Sequence, residues 1–326
     1  WYDPTGTDVQ ILTNTTVTSN IFSGSSTTSG LWECVVEASD GTDVTPTTSD
    51  IEVDADWAGL LTFTQCGNAG TTGPSQTQCD TDYIGTTLEG LVTVSSGVQL
   101  WEVPSSGTYR ITAVGSIGGI SAGGVRGYGA SMTGDFDLNA GDLLYVLVGQ
   151  EGTGNGSGGD QVAGGGGGTF VLLDNSTPLI IAGGGGGSNG SGYNSDRHGQ
   201  VSSNGGTGTP NGGSPGTGGY GGNAGSTGGG AGGLLGNGTD GTHGNRGYGY
   251  FNGAVGGCGD GHCGGFGGGG GGGNDGAGGG GGYSGGSGNS SHYGSGGGGG
   301  SYNDGSNPSN FTPSNIDYGY VTIDKI

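Results

Sequence analysis

The residues best suited to covalent chemistry are five cysteines. Cys258 and Cys263 flank a short Gly-Asp-Gly-His turn, and Cys66 and Cys79 bracket a polar loop. Each pair has a spacing that a local disulfide can close. Cys34 is then left over, so it is either buried and inert or bonded to another chain. The pattern therefore predicts two disulfides and one candidate intermolecular cysteine.

No arrangement of residues predicts catalysis or a metal centre. A zinc site at Cys258, His262 and Cys263 would lack a second pair of ligands at metal spacing. The segment 212–216, Gly-Gly-Ser-Pro-Gly, matches a nucleophile-elbow pattern but lacks the strand-to-helix context that the mechanism requires. The histidines all fall in a glycine-rich region, without a Ser/His/Asp order. They are His198, His243, His262 and His292. We therefore predict that the chain is not an enzyme and holds no catalytic or metal residue.

The charge balance restricts the partners of this chain. There are 27 acids and 5 bases, for a net charge of −22, which excludes nucleic acid and disfavours anionic membranes. No apolar run reaches membrane-spanning length, so we expect no membrane insertion in this portion. Acids without a nearby base precede Arg110, among them Asp40, Asp43, Asp54, Asp56, Asp80 and Asp82. A solvated acidic surface is the simpler interpretation, and bound Ca²⁺, without EF-hand spacing, is the alternative.

Asn-X-Ser/Thr sequons indicate candidate glycosylation sites. They occur at Asn14, Asn155, Asn175, Asn189, Asn237, Asn289 and Asn310. A chain rich in Ser and Thr matches this pattern by chance as well, so the sequons are compatible with glycosylation without establishing it. The chain begins at Trp1, which is typical of a processed or truncated product. Together with the predicted disulfides, these features favour an extracellular or cell-surface location.

Residues 1–93 use glycine at an ordinary frequency and show short strand patterns separated by polar turns. Candidate strands are 9–11, 15–22, 31–38, 51–57, 60–65 and 88–94. We find no amphipathic helix. The segment predicts a small all-β domain, a sandwich for which an immunoglobulin-like type is the candidate, whose first strand is available for exchange with a neighbouring chain.

From residue 94 onward a second all-β domain is predicted, extending to residue 326. Its candidate strands are 98–103, 108–114, 130–138, 142–149, 169–173, 178–182 and a last strand at 318–323. Residues 183 to about 314 lie between the last two strands and are mostly glycine. We expect the final strand to rejoin the sheet that begins at Val98, so that this long insertion is anchored at both ends.

Glycine makes up 93 of the 326 residues and forms unbroken runs. The runs are 164–168, 183–187, 267–273, 278–282 and 296–300. Such composition is typical of a flexible linker. We nevertheless expect a bundle of polyglycine-II helices, which have three residues per turn and pair N–H with C=O between neighbours, and the linker is the alternative. In such a bundle, valine within 267–273 should disrupt packing, whereas Ser and Asn beside the runs should mark turns and outer faces.

Single aromatic residues punctuate the glycine region. They include Tyr193, Tyr220, Tyr248, Phe266, Tyr283 and Tyr302. Such rings stack on sugars, but they more often cover a bundle or pack against a neighbouring sheet. We expect packing.

An ordered series of motifs resembles a known domain type. Residues 108–113 read Thr-Tyr-Arg-Ile-Thr-Ala, 141–149 read Gly-Asp-Leu-Leu-Tyr-Val-Leu-Val-Gly, and 163–171 and 178–187 each join apolar residues to five glycines. Residues 264–270 and 278–286 complete the series. It resembles the glycine-rich extracellular domain of the anaplastic lymphoma kinase and leukocyte tyrosine kinase receptors, over residues 97–326. The resemblance implies a tumour-necrosis-factor-like β-sandwich that carries polyglycine-II helices, and it does not transfer the receptor function.

Two hypotheses about function remain. The favoured one is the repeating subunit of an extracellular filament, a homopolymer held by strand addition. The alternative is a ligand-binding or adhesive head of a larger surface receptor or adhesin, with glycans among its possible partners.

Overall fold

The computed structural model describes most of the chain from residue 59 onward and one earlier strand pair. The described residues are 30–39, 44–53, 59–121, 124–154, 162–190, 195–209, 212–290, 294–315 and 318–326. The strands predicted at 9–11 and 15–22 lie outside them.

The chain divides into two units, residues 1–59 and residues 60–326. In the first unit, β1 (Gly30–Ser39) pairs antiparallel with β2 (Val44–Val53). The boundary predicted near residue 93 is therefore not where the structure divides the chain. The reason is long-range pairing, since residues 61–63 join the sheet of the second unit. An N-terminal β-sandwich stays a prediction.

The second unit contains one α-helix and fifteen strands within its described part. The elements are β3 (Leu61–Phe63), α1 (Gln76–Asp82), β4 (Thr93–Ser95), β5 (Val98–Glu102), β6 (Gly107–Val114), β7 (Gly129–Leu138), β8 (Leu143–Leu147), β9 (Thr169–Leu173), β10 (Thr177–Ala182), β11 (Ser188–Asn189), β12 (Cys258–Gly259), β13 (His262–Cys263), β14 (Gly294–Ser295), β15 (Tyr302–Asn303), β16 (Ser306–Asn315) and β17 (Tyr320–Lys325). Short 3₁₀ turns occur at Ser195–Arg197 and Tyr250–Asn252.

Two antiparallel sheets organise this unit. One has the order β15-β10-β9-β8-β5-β4, and the other has the order β16-β7-β6-β17-β3. Strand β10 contacts β6 and β7, so the sheets pack against each other. Alternate residues of β6, namely Tyr109, Ile111 and Ala113, are fully buried, as expected for a strand with one face on a core. The last strand does join a sheet, since Val321 of β17 pairs with Ala113 of β6, but this is the five-stranded sheet and not the sheet of β5, which begins at Val98.

Helix α1 departs from the predicted all-strand pattern. Ser75 and Gln78 form a capping box, in which the Ser75 hydroxyl accepts from the Gln78 N–H and the Gln78 side chain accepts from the Ser75 N–H. Cys79 lies in the helix and is bonded to Cys66. A capped and cross-linked turn can therefore be helical despite its short, polar sequence. The strand predicted at 88–94 is reduced to β4.

The glycine runs are joined to one another by backbone hydrogen bonds. Gly184 N–H donates to the Gly281 carbonyl at 2.8 Å. Three residues later, Gly187 N–H donates to the Gly278 carbonyl at 2.9 Å, and the two residues between them donate to other segments. The same neighbour thus recurs every third residue. These runs are ordered by bonds to neighbouring segments, which is not how a flexible linker behaves.

The prediction that Ser and Asn beside the runs mark outer faces is wrong at several positions. Buried examples are Ser188, Asn189, Ser284, Ser287, Asn289, Ser295 and Ser301. The physical reason is that a hydroxyl can replace a carbonyl as acceptor. Gly183 N–H donates to Ser301 Oγ at 2.9 Å, and Gly208 N–H donates to Ser287 Oγ at 2.7 Å. Asn274, beside another run, is exposed as predicted.

Candidate functional site

The glycine region packs on the six-stranded sheet through a shared apolar cluster. The sheet contributes Leu147, Phe170, Leu172 and Ile181, and the glycine region contributes Leu234, Tyr250, Ala254 and Phe266. Tyr283 stacks on Tyr302 at 5.0 Å between ring centroids. Three of the six rings noted in the sequence, Phe266, Tyr283 and Tyr302, therefore pack at this junction, as expected. Tyr193 lies outside the described residues, while Tyr220 and Tyr248 remain exposed.

Beside this cluster opens a groove of about 260 Å³, which we call the aromatic groove. It is lined by Ser95, Ser96, Val98, Leu100, Tyr145, Leu147, Asn175, Tyr250, Phe251, Gly253 and Ala254. Strands β4, β5 and β8 form one wall, and the turn around Tyr250–Asn252 forms the other. Rings, hydroxyls and a carboxamide thus meet in one concave site.

Tyr250 forms the rigid part of the aromatic groove. Its hydroxyl donates to Asn175 Oδ1 at 2.8 Å, and its ring centroid lies 5.2 Å from that of Phe170. Burial raises the pKa of Tyr250, and the nearby Tyr145 raises it further. The phenol therefore stays protonated near neutral pH and acts as a hydrogen-bond donor.

Exposed apolar side chains continue from the rim of the groove. Phe251 is 46% exposed, Leu235 is 46% exposed and Tyr220 is 62% exposed. Backbone bonds hold the three together, because Leu235 N–H donates to Gly219, the neighbour of Tyr220, and Phe251 N–H donates to Leu234. We call Tyr220, Leu235 and Phe251 the apolar patch. Large side chains grouped in this way on a surface are typical of interaction sites.

Each of the five basic residues is already engaged within the protein, so the surface offers a partner mainly acids. Arg110 pairs with Asp135, Arg126 with Glu151 and Arg246 with Asp240, while Arg197 is buried and Lys325 donates to Ser105. Hydrogen bonds from Arg110, and then from Asn307, hold the pKa of Asp135 below its usual range.

Both predicted cysteine pairs are joined in the structure. The S–S distance is 2.05 Å for Cys66–Cys79 and 2.00 Å for Cys258–Cys263. The zinc alternative at the second pair would need thiolates that this disulfide consumes. Cys34 lies in β1, opposite Ser49. Its bond to another chain stays a prediction.

The described sequons differ in accessibility. Asn175 and Asn310 are exposed, Asn237 is half-buried, and Asn189 and Asn289 are buried, whereas Asn14 and Asn155 lie outside the described residues. A glycan needs space around its asparagine in the folded protein, so burial divides a set that the sequence pattern treats as equal.

The histidines do not assemble a catalytic site in the part of the chain that the structure describes. His198 is buried and stacks on Tyr128 at 5.2 Å, and its Nδ1 accepts from the Tyr128 N–H. Burial and the neighbouring Arg197 charge lower the pKa of His198 to about 4. His243 lies 3.4 Å from Asp260, and His292 falls outside the described residues.

Within the described ranges, no group of three or more His, Cys, Asp or Glu side chains is placed to hold a metal. Four of the acids considered for Ca²⁺, at positions 40, 43, 54 and 56, lie outside those ranges. The described residues contain no helix with the length and apolar character needed to span a membrane.

The sequence patterns did not predict that Tyr145, Tyr250 and Phe251 line a common groove. Tyr250 and Phe251 stand side by side after a glycine, but Tyr145 lies far from them in the chain. The only local signal was an aromatic pair followed by Gly253, whose φ of +96° ends the turn.

The fold and its cross-links define an all-β, disulfide-bonded module of the extracellular type. The chain is similar to the leukocyte tyrosine kinase receptor of Mus musculus, with 40% identity over 121 residues. That match covers 33% of this chain and 13% of the receptor. No family model matches the chain.

This similarity confirms the resemblance for part of the chain. The matched part of the receptor is extracellular and lies outside its kinase domain, so the matched segment is extracellular and is not an enzyme. It favours the ligand-binding head over the filament subunit that we expected from the sequence. Nothing in the match supports a homopolymer.

Proposed function

We propose that this chain is the ligand-binding module of a larger cell-surface protein. The observation that carries the proposal is the 40% identity to an extracellular receptor segment. The aromatic groove and the adjoining apolar patch supply a site for the ligand. They combine a buried ring with a fixed hydroxyl and exposed rings at the rim, the kind of residues that dominate binding energy at interfaces.

The chemistry of the surface favours a basic protein ligand. The net charge is −22, and each of the five bases either is buried or forms a contact within the chain. Complementary charge speeds encounter and excludes acidic competitors, while buried rings supply most of the affinity. A basic partner with an apolar contact residue therefore fits this site best.

The scaffold that presents the site is, in this proposal, a tumour-necrosis-factor-like sandwich carrying polyglycine-II helices. The recurrence of the same hydrogen-bonded neighbour every third residue supports it, because that helix has three residues per turn. Hydrogen exchange provides a test. Amides of the run 183–187 should be protected as strongly as those of β6, and rapid exchange there would contradict the packed arrangement.

The binding proposal can be tested without knowing the natural ligand. Peptides are selected from a random display library against the whole chain, and their affinities are then measured for the wild type, Phe251→Ala and Phe311→Ala. Phe311 is 60% exposed on β16 and serves as the matched control. We expect the selected peptides to be basic and to bind Phe251→Ala at least about tenfold more weakly, which corresponds to about 1.4 kcal/mol.

Two results would contradict the proposal. One is equal binding of the selected peptides to the wild type and Phe251→Ala. The other is an equal loss with Phe311→Ala, because that would indicate binding to any exposed ring.

A further inference from the structure

Among the strands that the structure describes, β16 is one edge of the five-stranded sheet and has no second neighbour. It pairs with β7 on one side and ends the sheet on the other. Its residues 306–312 are exposed and carry no charge, and Phe311 is among them. Open edges invite pairing with other chains, and proteins usually guard them with charges, prolines or a covering group. Pro308 removes one donor, but the edge has no charged residue over 306–312.

Asn310 lies on this edge in a sequon, Asn310-Phe311-Thr312. Its Oδ1 accepts a hydrogen bond from Asn303 Nδ2 at 2.9 Å, and Asn303 Nδ2 also donates to the Thr133 carbonyl at 2.8 Å. Asn303 belongs to β15, so Asn310 stands where the edges of the two sheets meet. Among the described residues, nothing accepts from Asn310 Nδ2. The Oδ1 atom of Asn310 is therefore hydrogen-bonded, whereas its Nδ2 atom is available for modification.

We propose that Asn310 carries an N-linked glycan that covers the open edge of β16. A glycosyl donor activated at C1 as a diphosphate ester supplies the sugar. The C1–O bond breaks, a C1–Nδ2 bond forms, the diphosphate leaves, and one amide proton passes to the transferase. The product amide keeps its carbonyl, so the hydrogen bond from Asn303 survives modification.

The order of events follows from the sequon threonine. In the folded chain the Thr312 hydroxyl donates to the Gly199 carbonyl, 113 residues away in sequence. That contact exists only after folding, so transfer takes place on the unfolded chain. Asn189 and Asn289 are buried among glycine segments at 1% and 0% exposure, and a chain modified there could not fold.

Asn175 separates this proposal from the proposed function. It is exposed, but it lines the aromatic groove and accepts from Tyr250. A glycan at Asn175 would fill the mouth of the groove. A glycan found at Asn175 would therefore argue against ligand binding in the groove, whereas a glycan found at Asn310 bears on the proposal about the edge of β16.

The experiment uses the full chain secreted from a eukaryotic host. Glycopeptide mass spectrometry should find Asn310 modified in the folded protein, with Asn189 and Asn289 unmodified. Light scattering coupled to gel filtration then compares Asn310→Gln with Thr312→Ser, which keeps the sequon. We expect Asn310→Gln to shift from the monomer mass to multiples of it, and Thr312→Ser to remain monomeric.

A thermal melt separates misfolding from edge pairing. If Asn310→Gln self-associates but its melting temperature is unchanged, the variant is folded and has lost only the glycan that covers the edge of β16. An unmodified Asn310 would overturn the proposal. So would a modified Asn310 whose replacement by Gln leaves the protein monomeric, or associated only because it melts at a lower temperature.

Discussion

Gly165→Ala is the sharpest test of the backbone packing in the glycine region. The Gly165 N–H donates to Gly270 at 2.9 Å, and its carbonyl accepts from Gly265 at 2.9 Å. A Cβ added at this position would lie 1.9 Å from the Gly279 carbonyl oxygen. The backbone of Gly165 does not have a positive φ, so alanine can adopt its conformation and only the missing space forbids it.

The expected cost follows from that distance. Ordinary contact begins at 3.4 Å, so the segment carrying Gly279 must move by about 1.5 Å. Gly279 N–H donates to Gly229 and its carbonyl accepts from Gly270, and the movement strains both bonds. Overpacking costs about 1–3 kcal/mol, and each buried hydrogen bond left unmade costs a further 1–3 kcal/mol, roughly. We expect a loss of about 3–9 kcal/mol, which lowers the melting temperature by about 6–36 °C in a unit of this size.

Scanning calorimetry of Gly165→Ala beside Gly236→Ala provides the measurement. An added Cβ at Gly236 comes within 3.0 Å only of the Tyr220 ring, which is exposed and able to move. This control should therefore melt within about 3 °C of the wild type, as expected for less than 1 kcal/mol. If the two variants melt at the same temperature, close backbone packing does not order the glycine runs.

Three further predictions concern stability. The pKa of His198 is about 4 in the folded protein, below its unfolded value of about 6.5. This difference adds about 3 kcal/mol to the free energy of unfolding, fully above pH 6.5, and the addition disappears as the pH falls through 4. Urea unfolding of His198→Asn should therefore lack this part of the pH dependence of stability. Ser301→Ala leaves the Gly183 N–H without its acceptor, and urea unfolding should show a loss of about 1–3 kcal/mol. Replacing Cys66 and Cys79 together by alanine reopens a loop with a sequence separation of 13, and calorimetry should show a loss of about 3 kcal/mol.

Local patterns predicted a large part of the second unit. The strand expected at 108–114 is β6 (Gly107–Val114), and the strand expected at 169–173 is β9. Alternating or continuous apolar residues between turn residues suffice for such elements. The disulfide pairs were also visible, because both close over short separations of 13 and 5 residues.

Pairing between distant segments was not predictable. Residues 61–63 look like a strand in sequence, but nothing local shows that Val321 will pair with Phe63. That pairing moves the boundary to residue 59. Helix α1 did have a local signal, the Ser75-x-x-Gln78 capping pattern, which its short and polar sequence obscured.

Burial of the serines beside the glycine runs depends on the number of neighbouring segments, which composition does not reveal. Ser301 is buried because Gly183 donates to its hydroxyl, and the hydroxyl donates in turn to the Gln200 carbonyl. The same residue type at Ser202 is exposed. The distinction arises only when the segments assemble.

Because the core of the glycine region consists of backbone, the residues that stabilise the fold differ from those that we propose bind the ligand. Because glycine segments satisfy one another's hydrogen bonds, rings are not needed inside them and lie at the boundaries, as Phe266 does toward the sheet and Phe251 toward solvent. Removing the half-exposed Phe251 ring should therefore reduce ligand binding with little change in the melting temperature. A methyl group at Gly165 should do the reverse, lowering the melting temperature without contacting any residue of the groove. A variant at the groove rim that melts as low as Gly165→Ala would show that the two roles share the same contacts.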